Sequence, residues 1–346
     1  LIPEEAVLRR FLFHLRSWQE YMTTSRPRVI VTRRLPDAVE DALRASFDVR
    51  LNSSDRQFTP AELREAMLHC DGLLCTLTDQ LTADLFPVPI SSCRILANFG
   101  VGVNHIALDA ARESGLVVTN TPEVLTECTA DLAIALILMT LRRLGEGERE
   151  LRAGAWTGWR PTHLLGHRVS GRTLGVVGFG RIGEAVARRA SQGLGMQVLA
   201  WGPRRPSEVR LAAAGARASD SLEELLTEVD IVSLHCPLTP ETDRLMDRGR
   251  LYQMRRGAVL INTARGEIVE EEALIDALRS GQLGGAGLDV YAREPEVPAA
   301  LLALPGVVLL PHLGSATVET RTAMGLRAVQ NLRAFFAGRT PPDRID

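Results

Sequence analysis

Gly178-Phe179-Gly180-Arg181-Ile182-Gly183 stands between Thr173–Val177, which reads as a buried strand, and Arg181–Ala190, where Ile182, Val186 and Ala190 share one helical side. A GxGxxG alone is a weak signal, but between strand and helix it points to a dinucleotide-binding turn. The first glycine permits the tight turn, the second lets a pyrophosphate approach the backbone, and the third lets helix pack on strand. The N–H groups of the first helical turn then face the phosphates. The bland alternative is a glycine-rich turn that holds no ligand. Because the motif lies mid-chain, something else is built before it.

The 346 residues suffice for two domains, each with its own core. Apolar residues make up 45% and charged residues 24%, ordinary for a globular chain, and the formal net charge is −2. That balance gives no general attraction to nucleic acid or to an anionic membrane, so any positive charge that matters is local. Cys70, Cys75, Cys93, Cys128 and Cys236 form no CxxC pair and no ligand cluster. An odd, scattered set fits a reducing cytoplasm and argues against both a disulfide framework and a metal site. No apolar run reaches transmembrane length; the longest is Leu132–Met139. Near the N-terminus, Arg9-Arg10 and the short Phe11-Leu12-Phe13 patch do not make a signal peptide. The expectation is that Met22 is the biological start and residues 1–21 an upstream extension.

Short β-branched runs alternate with helical stretches, the pattern of parallel sheets. In the first part Val29–Thr32, Asp48–Leu51, Gly72–Cys75, Ile95–Asn98 and Val117–Thr119 read as strands. Helices fall around Asp37–Ser46, Pro60–Leu68 and Leu108–Ser114, completing a five-stranded α/β unit. Thr129–Arg143 is apolar almost all round, so it is buried on several sides and joins two domains or forms a subunit interface. A second unit runs from Gly171 to about Pro311, with strands Thr173–Val177, Gln197–Trp201, Ile231–His235, Val259–Asn262, Ala286–Val290 and Val307–Leu310. It reads as a doubly wound sheet with nucleotide at the carboxyl ends of its strands. The last helix, Thr317–Phe336, has no strand after it and is expected to return to the first unit. Gly154–Pro161, with Trp156 and Trp159, reads as an inter-domain loop.

In an NAD site an acidic residue ends the second strand and accepts from the ribose 2′-hydroxyl. Here the strand and its continuation read Val198-Leu199-Ala200-Trp201-Gly202-Pro203-Arg204-Arg205. Gly202 stands where the acid is expected, and two arginines follow. Guanidinium groups pair bidentately with a 2′-phosphate that a carboxylate would repel. The local charge therefore favours NADP(H), with NAD(H) open; a solvated basic loop is the plain alternative.

Three later segments each deliver a functional side chain just past a strand. Val259-Leu260-Ile261-Asn262-Thr263-Ala264-Arg265-Gly266 brings Arg265. Gly287-Leu288-Asp289-Val290-Tyr291-Ala292-Arg293-Glu294-Pro295 brings Asp289 and Glu294. Leu309-Leu310-Pro311-His312-Leu313-Gly314-Ser315-Ala316-Thr317 brings His312. Strand ends in such sheets converge on the ligand crevice.

These segments, with Gly100-Val101-Gly102-Val103, Thr129-Ala130-Asp131-Leu132-Ala133 and His235-Cys236-Pro237-Leu238-Thr239, resemble the D-isomer-specific 2-hydroxyacid dehydrogenase family over roughly residues 27–340. Trp156-Thr157-Gly158-Trp159-Arg160-Pro161 is similar to its glyoxylate/hydroxypyruvate reductase branch. The resemblance implies two doubly wound parallel-sheet α/β domains after an extension at 1–26. A Rossmann cofactor domain over 122–312 would be inserted into a flavodoxin-like substrate domain over 27–121 and 313–346. It also implies an NAD(P)-dependent reductase of small 2-keto acids, a homodimer, that binds neither nucleic acid nor membrane.

Under that resemblance His312 is the general acid, Glu294 accepts a hydrogen bond from its other ring nitrogen, and Arg265 binds the substrate carboxylate and polarises the carbonyl. Around the cofactor it implies Thr129, the turn Gly178, Phe179, Gly180, Arg181, Ile182 and Gly183, then Gly202, Arg204 and Arg205. Cys236, Pro237, Thr242, Thr263, Ala264, Asp289 and Gly314 complete that set, with Asp289 and Thr263 near the nicotinamide and its ribose. For the substrate it implies the backbone N–H groups of Val101 and Gly102, whose glycine context permits close approach. Leu77 and Trp159 would set pocket size. Trp159 would either close the partner subunit's pocket or simply pack as an exposed aromatic. His14, His69, His105, His163, His167 and His235 are read as structural. Two rivals remain: a 2-ketogluconate-type reductase, and a non-enzymatic NAD(H)-sensing corepressor of the same fold. A phosphoglycerate dehydrogenase with a regulatory domain is disfavoured, because only about thirty residues follow His312.

Overall fold

A computed structural model of the chain describes residues 26–86 and 92–345, so the proposed start at Met22 lies outside the described residues. Contacts divide the chain into two units. One ends at Pro122 and resumes at Arg321; the other is Glu123–Thr320.

The first unit holds β1 (Arg28–Val31), β2 (Asp48–Arg50), β3 (Gly72–Thr76), β4 (Ile95–Phe99) and β5 (Val117–Thr119), all mutually parallel. The strand order 2-1-3-4-5 puts the topological switch between β1 and β3. All five residues of β3 are buried, as a strand covered on both faces requires. Helix Asp37–Ser46 presents Val39 and Leu43 to one face, together with Ala328, Val329 and Leu332 of helix Val318–Phe336. Leu63, Ala66 and Met67 of helix Pro60–His69 fill the cluster with Leu73, Leu96 and Val118. Gly325 lets two of these helices touch, since a Cβ there would come within 2.5 Å of Val39.

Two expectations are corrected here. The last helix is followed by a strand, β13 (Arg344–Ile345), which pairs antiparallel with β5 and makes the sheet six-stranded rather than five-stranded. A two-residue strand carries no periodicity, so its pairing is invisible in sequence. The long apolar helix spans Thr126–Leu141, not Thr129–Arg143. Arg143 adopts a left-handed φ of 55° and opens a separate helix, Leu144–Arg152.

The second unit holds seven parallel strands: β6 (Thr173–Val177), β7 (Gln197–Trp201), β8 (Arg217–Ala218), β9 (Ile231–Leu234), β10 (Ala258–Asn262), β11 (Leu283–Leu288) and β12 (Val307–Leu309). Their order, β12-β11-β10-β9-β6-β7-β8, reverses between β6 and β9. The glycine-rich turn follows β6, at that switch. Helix Thr126–Leu141 buries Ala130, Ala133, Leu136 and Ile137 in this unit's core. It can approach the sheet because β11 reads Leu-Gly-Gly-Ala-Gly-Leu: a Cβ at Gly285 would lie 2.8 Å from Thr140, and one at Gly287 3.0 Å from Leu136. Helix Arg181–Arg188 gives way to a π turn, Arg189–Gly193, instead of continuing as α-helix to Ala190.

Candidate active site

The turn after β6 is shaped by crowding on two sides and open space on the third. Gly178 has φ 95°, its N–H donates to Trp201 O at 2.8 Å, and a Cβ on it would lie 2.5 Å from Cys236 N. A Cβ on Gly183 would lie 2.1 Å from Gly178 O. Gly180 has no atom within 4 Å of where its Cβ would stand. Helix Arg181–Arg188 begins there with no side chain capping its first N–H groups. Unsatisfied donors at a helix start, beside a position with room for a ligand, fit a dinucleotide pyrophosphate. Gly183→Ala is expected to cost about 1–3 kcal/mol through overpacking, read as a lower Tm in thermal melts together with weaker dinucleotide binding. An unchanged Tm would mean the helix can back away freely.

Beside this turn, a Cβ on Gly202 would lie 3.9 Å from Phe179 N, so the end of β7 runs along the same turn. The two arginines that follow differ. Arg204 is exposed and has no side-chain partner among the described residues, whereas Arg205 is held by Asp220 and by Glu208 at 3.7 Å. Of the two, only Arg204 is left without a side-chain partner among the described residues. A third arginine, not anticipated from sequence, joins them: Arg210 donates to Phe179 O at 3.0 Å and to Glu184 at 2.8 Å, and lies over the Phe179 ring at 5.6 Å. Its signal was only a serine-capped helix starting after the basic pair, which does not reveal the target of the side chain.

On the other flank, Thr242 Oγ1 donates to Pro237 O at 2.6 Å and accepts from Thr239 N at 2.8 Å, so this hydroxyl closes its own loop. His235 bonds Ser233 at 2.8 Å, and burial pushes its pKa down to about 4, leaving it neutral near pH 7. Burial likewise pushes the Cys236 thiol up to about 11. Thr129 Oγ1 donates to Gly314 O at 3.0 Å. Thr263 differs, because its Oγ1 is buried without a partner. An orphaned hydroxyl next to this strand end is a donor or acceptor suited to a cofactor.

The chemistry-bearing side chains stand past the neighbouring strands β10, β11 and β12. His312 Nδ1 donates to Glu294 Oε2 at 2.8 Å, and each side chain is 28% exposed. Tyr291 N donates to the other Glu294 oxygen at 3.1 Å. Burial raises the Glu294 pKa, but the bond and charge of His312, the Tyr291 amide and the Arg265 charge carry it net below the ordinary carboxylate value. His312 itself is held in a left-handed conformation, φ 55°, uncommon for a residue with a side chain. Asp289 explains how: its carbonyl accepts from His312 N at 3.0 Å, and its carboxylate accepts from Leu313 N at 2.6 Å and Gly314 N at 2.8 Å. Asp289 is 1% exposed and burial raises its pKa against those two amides. Its carboxylate thereby holds the histidine's turn.

Arg265 is placed by residues that the motif reading passed over. Asn262, buried at the end of β10, donates to Arg265 O at 2.8 Å and accepts from Ala264 N at 3.0 Å. A polar residue closing an apolar strand was the available signal. Gly266 is required by contact, since a Cβ on it would lie 1.9 Å from the Tyr291 carbonyl carbon. That approach brings the loops carrying Arg265 and Glu294 together. Burial lowers the Arg265 pKa, and the Glu267 and Glu294 charges oppose it; a guanidinium stays charged regardless.

In the first unit Leu77 follows β3 and Val101 and Gly102 follow β4, at the same end of adjacent strands. The Gly100–Gly102 carbonyls are all bonded: Gly100 O to Thr121 N and Asn98 Nδ2, Val101 O to Asn120 Nδ2, and Gly102 O to Asn98 Nδ2. Trp159, in the second unit, is 81% exposed.

A model of the D-isomer specific 2-hydroxyacid dehydrogenase NAD-binding domain matches residues 134–314. A glyoxylate reductase of Thermococcus onnurineus is 41% identical, over 93% of this chain and 96% of its own length. The chain belongs to the D-isomer-specific 2-hydroxyacid dehydrogenase family. A glycerate dehydrogenase of Hyphomicrobium methylovorum is 36% identical over 91% of the chain and 97% of its own. Among solved structures, an NADPH-dependent glyoxylate/hydroxypyruvate reductase from Sinorhizobium meliloti, in complex with NADP and malonate, superposes with a TM-score of 0.80 at 38% identity, covering 93% of this chain and 97% of that one. This dehydrogenase is thus a nicotinamide-dependent oxidoreductase of small keto and hydroxy acids. No helix among the described residues is long and apolar enough to cross a membrane.

Proposed function

We propose that the enzyme reduces glyoxylate and hydroxypyruvate to D-2-hydroxy acids, with NADPH as preferred donor. The observation that carries this reading is the His312–Glu294 pair at 2.8 Å, on strand ends neighbouring that of Arg265. We read the dinucleotide into the Glu123–Thr320 unit, and Val101 and Gly102 of the other unit as donors for a carboxylate.

When bound, the cofactor supplies a hydride to the keto carbon. His312 moves the proton: with Nδ1–H committed to Glu294, Nε2 is the atom that gives a proton to the keto oxygen. Glu294 holds the imidazole's orientation, and Asp289 holds its backbone. Arg265 carries a fixed positive charge for the substrate carboxylate and the polarised carbonyl. The names of the Thermococcus and Sinorhizobium relatives support the substrate pair. A panel of 2-keto acids with NADPH and NADH, followed by loss of reduced-cofactor absorbance, tests the proposal. Tight dinucleotide binding with no turnover of any 2-keto acid would overturn it in favour of a sensing protein.

The cofactor preference rests on the missing acid at Gly202 and the uncommitted Arg204. Arg204→Ala is expected to raise KM for NADPH about tenfold, the scale of one charge-assisted contact, while KM for NADH barely moves. Equal changes in both would remove the 2′-phosphate argument. A homodimer would cover Leu144, Leu151, Trp156, Trp159 and Leu165, which the second unit leaves exposed. All five cysteines are free, in keeping with the cytoplasm.

A further inference from the structure

We infer that Asn98 and Asn120 are positioning residues that set the enzyme's affinity for the substrate carboxylate, by holding the Gly100–Gly102 turn with its amides outward. The inference rests on the reading of Val101 and Gly102 as carboxylate donors and names what makes them donors. A short turn can direct either its carbonyls or its N–H groups at a ligand. Here all three carbonyls are spent inside the unit, on Asn98, Asn120 and Thr121, at 2.9–3.1 Å. The N–H groups of Val101 and Gly102 bond to nothing among the described residues, and Val101 is exposed. Two consecutive amides without partners, beside carbonyls that are all paired, offer donors to an anion.

Asn98 is the centre of this arrangement. It is fully buried in the apolar strand β4, a costly place for an amide unless its bonds are made. Its Nδ2 donates to both Gly100 O at 3.1 Å and Gly102 O at 3.0 Å. Because two carbonyls fix the amide's donor end, Oδ1 must face His105, whose Nε2 lies 3.1 Å away and therefore donates. Asn120 reaches the middle carbonyl from another direction. Its own backbone is tied to Asn331 Nδ2 at 3.2 Å and Asp343 O at 3.2 Å, and Asp343 is gripped by Arg327 at 2.7 and 2.8 Å. The segment that ends in β13 thus reaches the turn through Asn120.

Asn98→Asp separates positioning from packing. It keeps the size of the side chain and the acceptor for His105. It replaces the two donors with lone pairs facing Gly100 O and Gly102 O, and adds negative charge behind the amides. The expected result is a rise in KM for hydroxypyruvate of about tenfold or more, with kcat and the NADPH dissociation constant near wild type. Asn120→Ala, at a less buried position, should give a smaller rise in the same constant alone, and it carries the test if the first variant does not fold. An unchanged KM in both, or a loss of kcat and NADPH affinity in step with KM, would overturn the inference. A wild-type enzyme that reduces no 2-keto acid would instead sink the reading beneath it, and that is decided before any variant is compared.

Discussion

Replacing His312 by alanine is expected to lower kcat by about 10²–10⁴-fold and to leave the NADPH dissociation constant near its wild-type value. The split follows from where the side chain stands. It lies past β12, bonded through Nδ1 to Glu294, while the pyrophosphate turn after β6 is built without it. One ambiguity needs a second variant. His312 adopts φ 55°, which alanine tolerates poorly, so a relaxed turn could mimic a lost acid. Asparagine tolerates that conformation and cannot serve as the proton donor, so His312→Asn should lose as much turnover as His312→Ala. Recovery of turnover with asparagine would mean that the turn, not the imidazole, was responsible.

The same pair predicts the behaviour at low pH. Glu294 is net below the ordinary carboxylate value, so it stays charged as pH falls through the range where a free glutamate is neutralised. Its contribution to stability is therefore complete above its unfolded pKa and is lost only as pH drops through the lower folded one.

Much of the catalytic unit was legible because its signals are local. GxGxxG between a strand and a helix needs only the chain on either side, and β6 and β7 lie where the β-branched runs predict them. That Arg265, Glu294 and His312 each stand one short loop beyond a strand was legible through motif context. What stayed hidden depends on pairing between distant segments. The capture of Arg205 by Asp220 and the seating of Asn120 against Asn331 join residues far apart in the chain. β13 and β8 are too short to have a period. Asp289 belongs to both groups: its position past β11 could be read, but not that its carboxylate would be consumed by the amides of Leu313 and Gly314.

Arg265→Ala should have the other large effect, a fall in kcat/KM of about 10²–10⁴, the equivalent of two charge-assisted hydrogen bonds at about 1.5–3 kcal/mol each. The loop should survive the change, because Asn262 and the close pass of Gly266 still hold its backbone once the bond from Arg265 Nη1 to Ala264 O at 2.7 Å is lost. Arg265→Lys keeps the charge but not the planar fork, and is expected to recover only part of the loss. A lysine variant equal to wild type would mean that a point charge suffices; an alanine variant equal to wild type would remove Arg265 from the site. A second consequence is independent of substrate contacts. The Arg265 charge helps to hold Glu294 below the ordinary carboxylate value, so its removal should let that pKa rise. Glu294 would then be protonated at a higher pH than before, and the acid limb of the residual kcat/KM profile should move up in pH relative to wild type.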